Sequence, residues 1–197
     1  MFWKIFFSFL FIIGNSAIFL RAENGACEVY FSPRDHVAER LIQLIDREQK
    51  SIKIAIYSIS HAKIIRALEN AHERGVHLEI VVDPTSVKTR TPLLRLVKKK
   101  VPIFVWDPPT SYVIRTGKTI KPIMHDKFSV FGDHLVWTGS FNFTYAAESH
   151  NEENVLTVEG TQIARKYLDH FQEMKVRGCR PFEEYVALRK NRGKIAH

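Results

Sequence analysis

Residues 125–144 read HDKFSVFGDHLVWTGSFNFT, and the prediction of the fold starts from this stretch. Two strand-like runs, 125–131 and 135–138, flank the pair Gly132-Asp133. A glycine and an aspartate between such runs are typical of a two-residue turn, so the sequence predicts an antiparallel β-hairpin. The hairpin returns the second half of the stretch to a position beside the first.

Four polar side chains are spaced so that they meet at one end of this hairpin. His125 and Lys127 are two residues apart, and so are Ser140 and Asn142. Because side chains alternate between the two faces of an extended chain, each pair points to one face. Together they fit a phosphate diester, since three of the groups donate hydrogen bonds to its non-bridging oxygens and the imidazole attacks phosphorus.

Strand and helix patterns alternate on both sides of the hairpin. Apolar patterns predict strands at 51–58, 77–83, 101–106 and 154–158, with helical spacing between and after them. Residues 108–122 lack periodicity and are expected to form a long loop. This order predicts an α/β fold with a mixed, largely parallel central sheet and helices on both faces.

The two ends of the chain differ from this central region. Residues 1–22 combine Lys4 with an apolar stretch and a polar exit, which is typical of a secretory signal; an uncleaved membrane anchor is the alternative. We therefore expect an exported protein, periplasmic or secreted, with a domain at 27–180. The basic, polar residues 181–197 are expected to form a loosely ordered tail.

Charge and cysteine content narrow the class of partner. The chain carries 29 Lys and Arg against 21 Asp and Glu, a formal charge of +8, which favours anionic partners such as nucleic acid or acidic lipid headgroups. Cys27 and Cys179 can pair as a disulfide in an oxidising compartment, and two unrelated buried thiols are the alternative. Two cysteines exclude a zinc finger built from several thiolates.

The joint pattern, histidine-x-lysine followed by glycine-serine-x-asparagine, resembles the signature of the phospholipase D superfamily. The resemblance continues through AIYSIS at 55–60, EIVVD at 79–83 and ESHNEENVLTV at 148–158, and it covers most of residues 30–171. The chain is most similar to small bacterial endonucleases of the superfamily, which carry one motif copy and build the site across a homodimer. It is similar, more distantly, to single-motif mitochondrial members that act on cardiolipin or RNA.

The resemblance implies a role for each matching residue. His125 matches the nucleophile, which forms a phosphohistidine, and its copy in a second subunit matches the general acid. Glu153 matches the carboxylate that holds the other ring nitrogen of the histidine. The scheme requires no metal or cofactor, because protein cations take up the phosphate charge. The residues that match the phosphate pocket are Lys127, Gly139, Ser140 and Asn142.

Two features set this chain apart within the resemblance. The family usually has an aspartate at the position of Gly132; because the position falls in the predicted turn, we expect a structural role for that aspartate and retained activity. The chain also carries one copy of the full motif, whereas the chemistry needs two imidazoles. The sequence therefore predicts a homodimer with a shared active site.

Three functions are consistent with these residues. Hydrolysis of single-stranded DNA or RNA is the first, because Arg115, Lys118 and Lys121 precede the nucleophile and Lys98–Lys100 are expected nearby as part of a basic approach. Hydrolysis of a phospholipid such as cardiolipin is the alternative. A non-catalytic module for nucleic-acid binding or DNA uptake is the third.

Overall fold

The structure is a computed structural model that describes residues 26–195, with side chains described as far as residue 191. The predicted signal or anchor at residues 1–22 lies outside the described residues. Between residues 26 and 195, no helix combines the length and the apolar character that a membrane span needs.

Ten strands and six α-helices make up the described chain. The strands are β1 (Cys27–Ser32), β2 (Ser51–Ile56), β3 (His77–Val82), β4 (Ile103–Trp106), β5 (Tyr112–Val113), β6 (Thr119–Ile120), β7 (Lys127–Phe131), β8 (Leu135–Gly139), β9 (Glu153–Glu159) and β10 (Cys179–Pro181). The helices are α1 (Val37–Arg47), α2 (Ala62–Glu73), α3 (Leu93–Lys98), α4 (Tyr145–Ser149), α5 (Thr161–Gly178) and α6 (Phe182–Ile195), with a 3₁₀ turn at Pro84–Ser86.

Eight of these strands form one sheet in the order β1-β9-β8-β7-β2-β3-β4-β10. Strands β2, β3 and β4 are parallel to one another, because helices connect them, and every other neighbouring pair is antiparallel. The predicted mixed α/β fold is confirmed. The expectation of a largely parallel sheet is wrong, since two of its seven pairings are parallel.

Helices cover both faces of this sheet, as the sequence predicts. Helices α1, α2, α3 and α6 pack on one face, where alternate residues of β2 such as Ile54 and Ile56 join their core. Helix α5 packs on the other face through Phe171 and Met174, against Ala55 of β2. Successive side chains of β2 point to opposite faces of the sheet. Because helices cover both faces, the strand is buried on both sides, which explains its apolar sequence.

The hairpin of β7 and β8 has a turn of three residues, 132–134, rather than the predicted two. Gly132 has φ +57°, a left-handed conformation that glycine adopts without strain. Residues 108–122 were expected to be a loop, but they contain the small hairpin of β5 and β6. Short strands of two residues give too little alternation to be detected in a sequence.

The expectation of a loosely ordered tail after residue 180 is wrong, because helix α6 occupies this region. Phe182 is 5% exposed, and Tyr185 and Val186 pack against the core. These three residues are spaced so that they lie on one face of a helix. The many charged residues around them made this apolar face hard to recognise from the composition.

The possible disulfide between Cys27 and Cys179 is not formed within the chain. Cys27 lies in β1 and Cys179 in β10, the two edge strands of the sheet, and both thiols are free. Neighbouring strands are about 4.8 Å apart, so the two cysteines are separated by roughly 30 Å, whereas bridged Cα atoms lie within about 7 Å. Burial raises the pKa of the Cys179 thiol to about 12, which leaves it protonated at neutral pH.

The packing of α6 generates a prediction. We expect Phe182→Ala to lower the free energy of unfolding by about 3 kcal/mol, because it leaves a cavity under the helix. The exposed neighbour Glu183 supplies the control, and Glu183→Ala should stay within about 0.5 kcal/mol of the parent chain. Urea denaturation monitored by circular dichroism measures both. Equal stabilities for the two variants would mean that α6 does not pack as described.

Candidate active site

The residues of the motif meet along one side of the sheet, where the ends of several strands lie next to one another. This row of strand ends is called an edge below, as distinct from the outermost strands β1 and β10. Because β7 is antiparallel to both β2 and β8, the start of β7 lies beside the end of β2 and the end of β8. Strand β9 is antiparallel to β8, so its start lies at the same edge. The structure thereby brings together the residues at or just beyond these strand ends: Tyr57, His125, Lys127, Gly139, Ser140, Asn142 and Glu153.

His125 lies two residues before β7, which begins at Lys127 and not at the histidine as the sequence pattern predicts. The histidine is exposed. Its ring packs edge-on against Tyr57, with the two ring centroids 4.7 Å apart. An imidazole in this position is open to an incoming phosphate and limited in its rotation by the neighbouring ring.

The backbone under His125 is anchored by a buried carboxylate, Asp83, which directly follows β3. Asp83 is 2% exposed, and its Oδ2 accepts a hydrogen bond of 3.0 Å from the backbone N–H of Met124. Its Oδ1 accepts a second bond, of 2.9 Å, from the N–H of Thr85. Since Met124 precedes the histidine directly, Asp83 fixes the direction in which the chain enters the site.

Lys127 is a buried cation at the site. It is 9% exposed, and its Nζ donates a hydrogen bond of 2.6 Å to the backbone oxygen of His125. The same Nζ lies 5.1 Å from the centroid of the Tyr57 ring. Burial lowers the pKa of Lys127, while the charges of Asp126 and Glu153 oppose that shift. A poorly solvated cation attracts a phosphate more strongly than a surface lysine does.

Glu153 contacts Ser140 in this structure, not the histidine ring. The Ser140 hydroxyl donates a hydrogen bond of 2.5 Å to Glu153 Oε2, and Asn151 Nδ2 donates one of 3.0 Å to Oε1. The expected pairing of Glu153 with His125 of the same chain is therefore not made. The sheet order gives the reason: Glu153 opens β9, which lies next to β8 and is separated by β8 from β7.

Gly139 and Asn142 shape the other side of the site. A Cβ atom on Gly139 would lie 2.1 Å from the backbone oxygen of Asn154, so the two strands can approach this closely only at a glycine. Asn142 Oδ1 accepts a hydrogen bond of 3.2 Å from the N–H of Ser58. With its oxygen engaged in this way, the carboxamide has its Nδ2 group to offer to a phosphate oxygen.

The predicted basic residues divide into two groups. Arg115 and Lys118 are exposed on the hairpin of β5 and β6. Lys121 instead forms an ion pair of 2.7 Å with the buried Asp107, which also binds Arg180 at 3.0 Å. Lys121 is thus engaged in an ion pair in the absence of substrate, and its role in substrate binding stays a prediction.

Lys98–Lys100 lie away from the site, contrary to expectation. They end α3 and precede the start of β4, and β4 runs from there toward the edge that carries His125. The lysines therefore lie at the opposite edge of the sheet. Lys99 pairs there with Glu73 at 2.7 Å.

Sequence reasoning missed Tyr57 and Asp83 as site residues. Both directly follow buried parallel strands, and polar residues at such strand ends are the signal that identifies them. Glu148, within the quoted stretch 148–158, has a structural contact: its Oε2 lies 2.8 Å from Nε2 of the fully buried His61, which caps α2.

Gly132, at the position of the usual family aspartate, lies at the far end of β7 from His125. Five strand residues at about 3.3 Å each separate the two ends by roughly 16 Å. A Cβ atom on Gly132 would lie 3.7 Å from Glu48 Oε2, and Glu48 Oε1 accepts a hydrogen bond from the N–H of Lys50 at 2.6 Å. A carboxylate from the end of α1 thus already lies beside this turn, which is consistent with a structural role for the missing side chain.

The described residues contain no group of three or more His, Cys, Asp or Glu side chains placed to hold a metal ion. The site offers nitrogen donors on Lys127 and Asn142 beside the imidazole of His125. Such groups bind the oxygens of a phosphate directly.

Comparison with protein families and curated proteins identifies relatives over most of the chain. The family model described as "Cardiolipin synthase, PLD-like domain" matches residues 41–175. The protein "Phospholipase D" of Rickettsia typhi is 31% identical over 146 residues, which cover 74% of this chain and 66% of the relative. "Mitochondrial cardiolipin hydrolase" of Mus musculus is 26% identical over 135 residues, 68% of this chain and 56% of the relative. The chain thus spans less than two thirds of the length of either relative.

Two solved structures share the fold over nearly their full length. Nuc from Salmonella typhimurium, a phospholipase D family member, has a TM-score of 0.68 and 28% identity, over 80% of this chain and 98% of that chain. NucT from Helicobacter pylori has a TM-score of 0.70 and 26% identity, over 80% of this chain and 99% of that chain.

The position of Asp83 generates a prediction for a residue that touches no substrate. We expect Asp83→Asn to lower kcat about tenfold to a hundredfold with little change in KM, because the loop that carries His125 loses one of its fixed contacts. Asp133→Asn, in the exposed turn of the β-hairpin, is the matched control and should leave both parameters unchanged. Steady-state kinetics and melting temperature are measured together. A fall in kcat that only mirrors a smaller folded fraction would contradict a positioning role.

Proposed function

Because this chain belongs to the phospholipase D superfamily, we propose that it is a phosphodiesterase that hydrolyses nucleic acid, with single-stranded DNA or RNA as the substrate. The observation that carries the proposal is the contrast between an exposed His125 and a buried Lys127 at the same strand end. A reachable nucleophile beside a desolvated cation fits attack on a phosphate diester.

The proposed reaction has two steps. In the first, a ring nitrogen of His125 attacks phosphorus, and the new P–N bond replaces the P–O bond to the leaving alcohol. Lys127 and Asn142 hold the non-bridging oxygens, and the partner subunit's His125 donates a proton to the leaving oxygen. In the second step, water gives a proton to the partner subunit's His125 and attacks phosphorus, which breaks the P–N bond and restores the nucleophile.

This scheme proposes a homodimer with the two motifs facing each other. His125 is the histidine of the motif, and no second copy of the full motif occurs in the sequence. His61 is fully enclosed and engaged with Glu148, so it does not supply the second imidazole. A symmetric interface at this sheet edge places one imidazole from each chain at a single phosphorus atom. Within such a dimer, Glu153 would orient Ser140 beneath the phosphate.

An exposed tyrosine beside two exposed cations supports nucleic acid over lipid. Arg115 and Lys118 are exposed on the hairpin of β5 and β6, where they can contact a phosphate backbone. Tyr112, on the same hairpin, is 52% exposed and is available to stack on a base. Phe141 and Phe143 are buried and pack in the core instead. On the basis of residues 1–22, we further propose that the protein acts outside the cytoplasm.

Hydrolysis of a phospholipid such as cardiolipin is the second candidate. The names of two aligned relatives, a phospholipase D and a mitochondrial cardiolipin hydrolase, favour it. The same donors would hold a lipid phosphate diester, because the reacting group is chemically the same. A non-catalytic nucleic-acid-binding module is the third candidate.

One experiment separates these candidates. The full chain is incubated in EDTA with single-stranded DNA, RNA and cardiolipin vesicles, and the products are analysed by electrophoresis and mass spectrometry. We expect cleavage of DNA or RNA, intact cardiolipin and no effect of EDTA, because protein cations take up the phosphate charge. His125→Ala should lower the rate at least about a thousandfold. His77→Ala, an exposed histidine at the opposite sheet edge, should leave the rate unchanged.

Each other outcome has a defined meaning. Cleavage of cardiolipin alone would assign the lipid substrate, and loss of activity in EDTA would contradict the metal-independent scheme. Nucleic-acid binding that is equal in the parent chain and His125→Ala, with no cleavage by either, would assign the non-catalytic module.

A further inference from the structure

A second concave surface lies away from the motif, between the segment after β3 and helix α6. It forms an open groove with a volume of about 670 Å³, within the range of pockets that hold small ligands. None of the residues assigned above to phosphodiester chemistry lines it. The residues that line it, called the α6 groove below, are Val87, Lys88, Thr89, Leu94, Phe182, Val186, Arg189 and Lys190.

The floor of the α6 groove is aliphatic. Leu94 and Val186 are partly exposed into it, and Val87 and Phe182 are buried beneath them, at 8% and 5% exposure. Because Phe182 is buried, the groove presents no open aromatic face on which a base would stack. An aliphatic wall of this kind fits a hydrocarbon chain better than a nucleobase.

The rim of the groove is positively charged. Lys88, Arg189 and Lys190 are exposed, and the lining contains no carboxylate. Arg189 is oriented by a hydrogen bond of 3.1 Å from its Nη1 to the backbone oxygen of Val87. Three cations around an apolar cleft match a ligand that has a negative head and a hydrocarbon tail.

From this complementarity we infer that the α6 groove binds one acyl chain of an anionic phospholipid, with the lipid phosphate at Lys88, Arg189 and Lys190. The site goes beyond the proposed function, because it binds lipid without cleaving it. Its effect is to hold the enzyme at an anionic membrane surface.

The groove is connected to the active site through a short path. Val87 follows Ser86, whose Oγ donates a hydrogen bond of 3.1 Å to the backbone oxygen of Tyr57. Tyr57 packs against His125. The groove therefore begins at a segment that is hydrogen-bonded to the site residue Tyr57.

The inference is tested by binding, independently of hydrolysis. The full chain carrying His125→Ala is titrated by calorimetry with lysophosphatidylglycerol below its micelle concentration, so that no probe is consumed. We expect lysophosphatidylglycerol to bind, and glycerol 3-phosphate, lysophosphatidylcholine and a free fatty acid to bind at least about tenfold more weakly. Equal binding of any of these three would overturn the assignment of an anionic phospholipid.

Variants made in the same His125→Ala chain locate the site. Lys190→Glu, at the rim, and Val186→Asp, in the aliphatic wall, should each weaken binding at least about tenfold. Lys166→Glu, an exposed lysine on α5 across the sheet, is the matched control and should bind as the parent does. If Val186→Asp does not fold, Lys190→Glu decides alone. Unchanged binding by Lys190→Glu would overturn the inference. So would a lower oligomeric mass of Lys190→Glu than of the parent chain, because it would mean that a second chain occupies the groove.

Discussion

The register of β7 between β2 and β8 is the constraint on which the site depends. Lys127 pairs with Ile56, and Phe128 pairs with Thr138, so the start of β7 has a fixed neighbour on each side. A shift of one residue would turn Lys127 to the opposite face of the sheet and separate it from His125. Burial of β7 on both faces opposes such a shift, because every side chain of the strand would have to repack on the opposite face.

This register allows two residues of one short motif to have opposite environments. His125, just before the strand, is exposed, whereas Lys127, its first residue, is buried and its pKa is lowered by desolvation. Burial of a cation is unfavourable for folding unless a partner is present, and here the partners are a backbone oxygen and an aromatic ring. An anionic substrate would compensate the charge of Lys127 more completely, and this gain would contribute to the free energy of substrate binding.

The parts of the fold that short sequence patterns determine could be predicted. The hairpin of β7 and β8 and the spacing of His125 and Lys127 are local features, and the structure confirms that the motif residues converge. Contacts that depend on sheet order could not be predicted. The partner of Glu153 follows from the position of β9 beside β8, and the separation of Cys27 from Cys179 follows from their places in the two edge strands.

Tertiary pairing also decides the surroundings of the basic residues. Lys121 is close to His125 in sequence, yet its Nζ pairs with Asp107, fourteen residues earlier in the chain. The lysines that end α3 lie at the far edge because the direction of a parallel strand decides which loops share an edge. The amphipathic face of α6 was obscured by its charges, although the spacing of Phe182, Tyr185 and Val186 was present in the sequence.

The central claim is that two subunits contribute one His125 each to a shared site, and a subunit-mixing measurement tests it most directly. Parent and His125→Ala chains are unfolded, mixed in equal amounts and refolded, and the rate per total chain is compared with that of the parent alone. Because both imidazoles are required, activity should fall to about one quarter, the fraction of dimers that hold two parent chains. A fall to about one half would mean that each chain acts alone, and it would contradict the shared site.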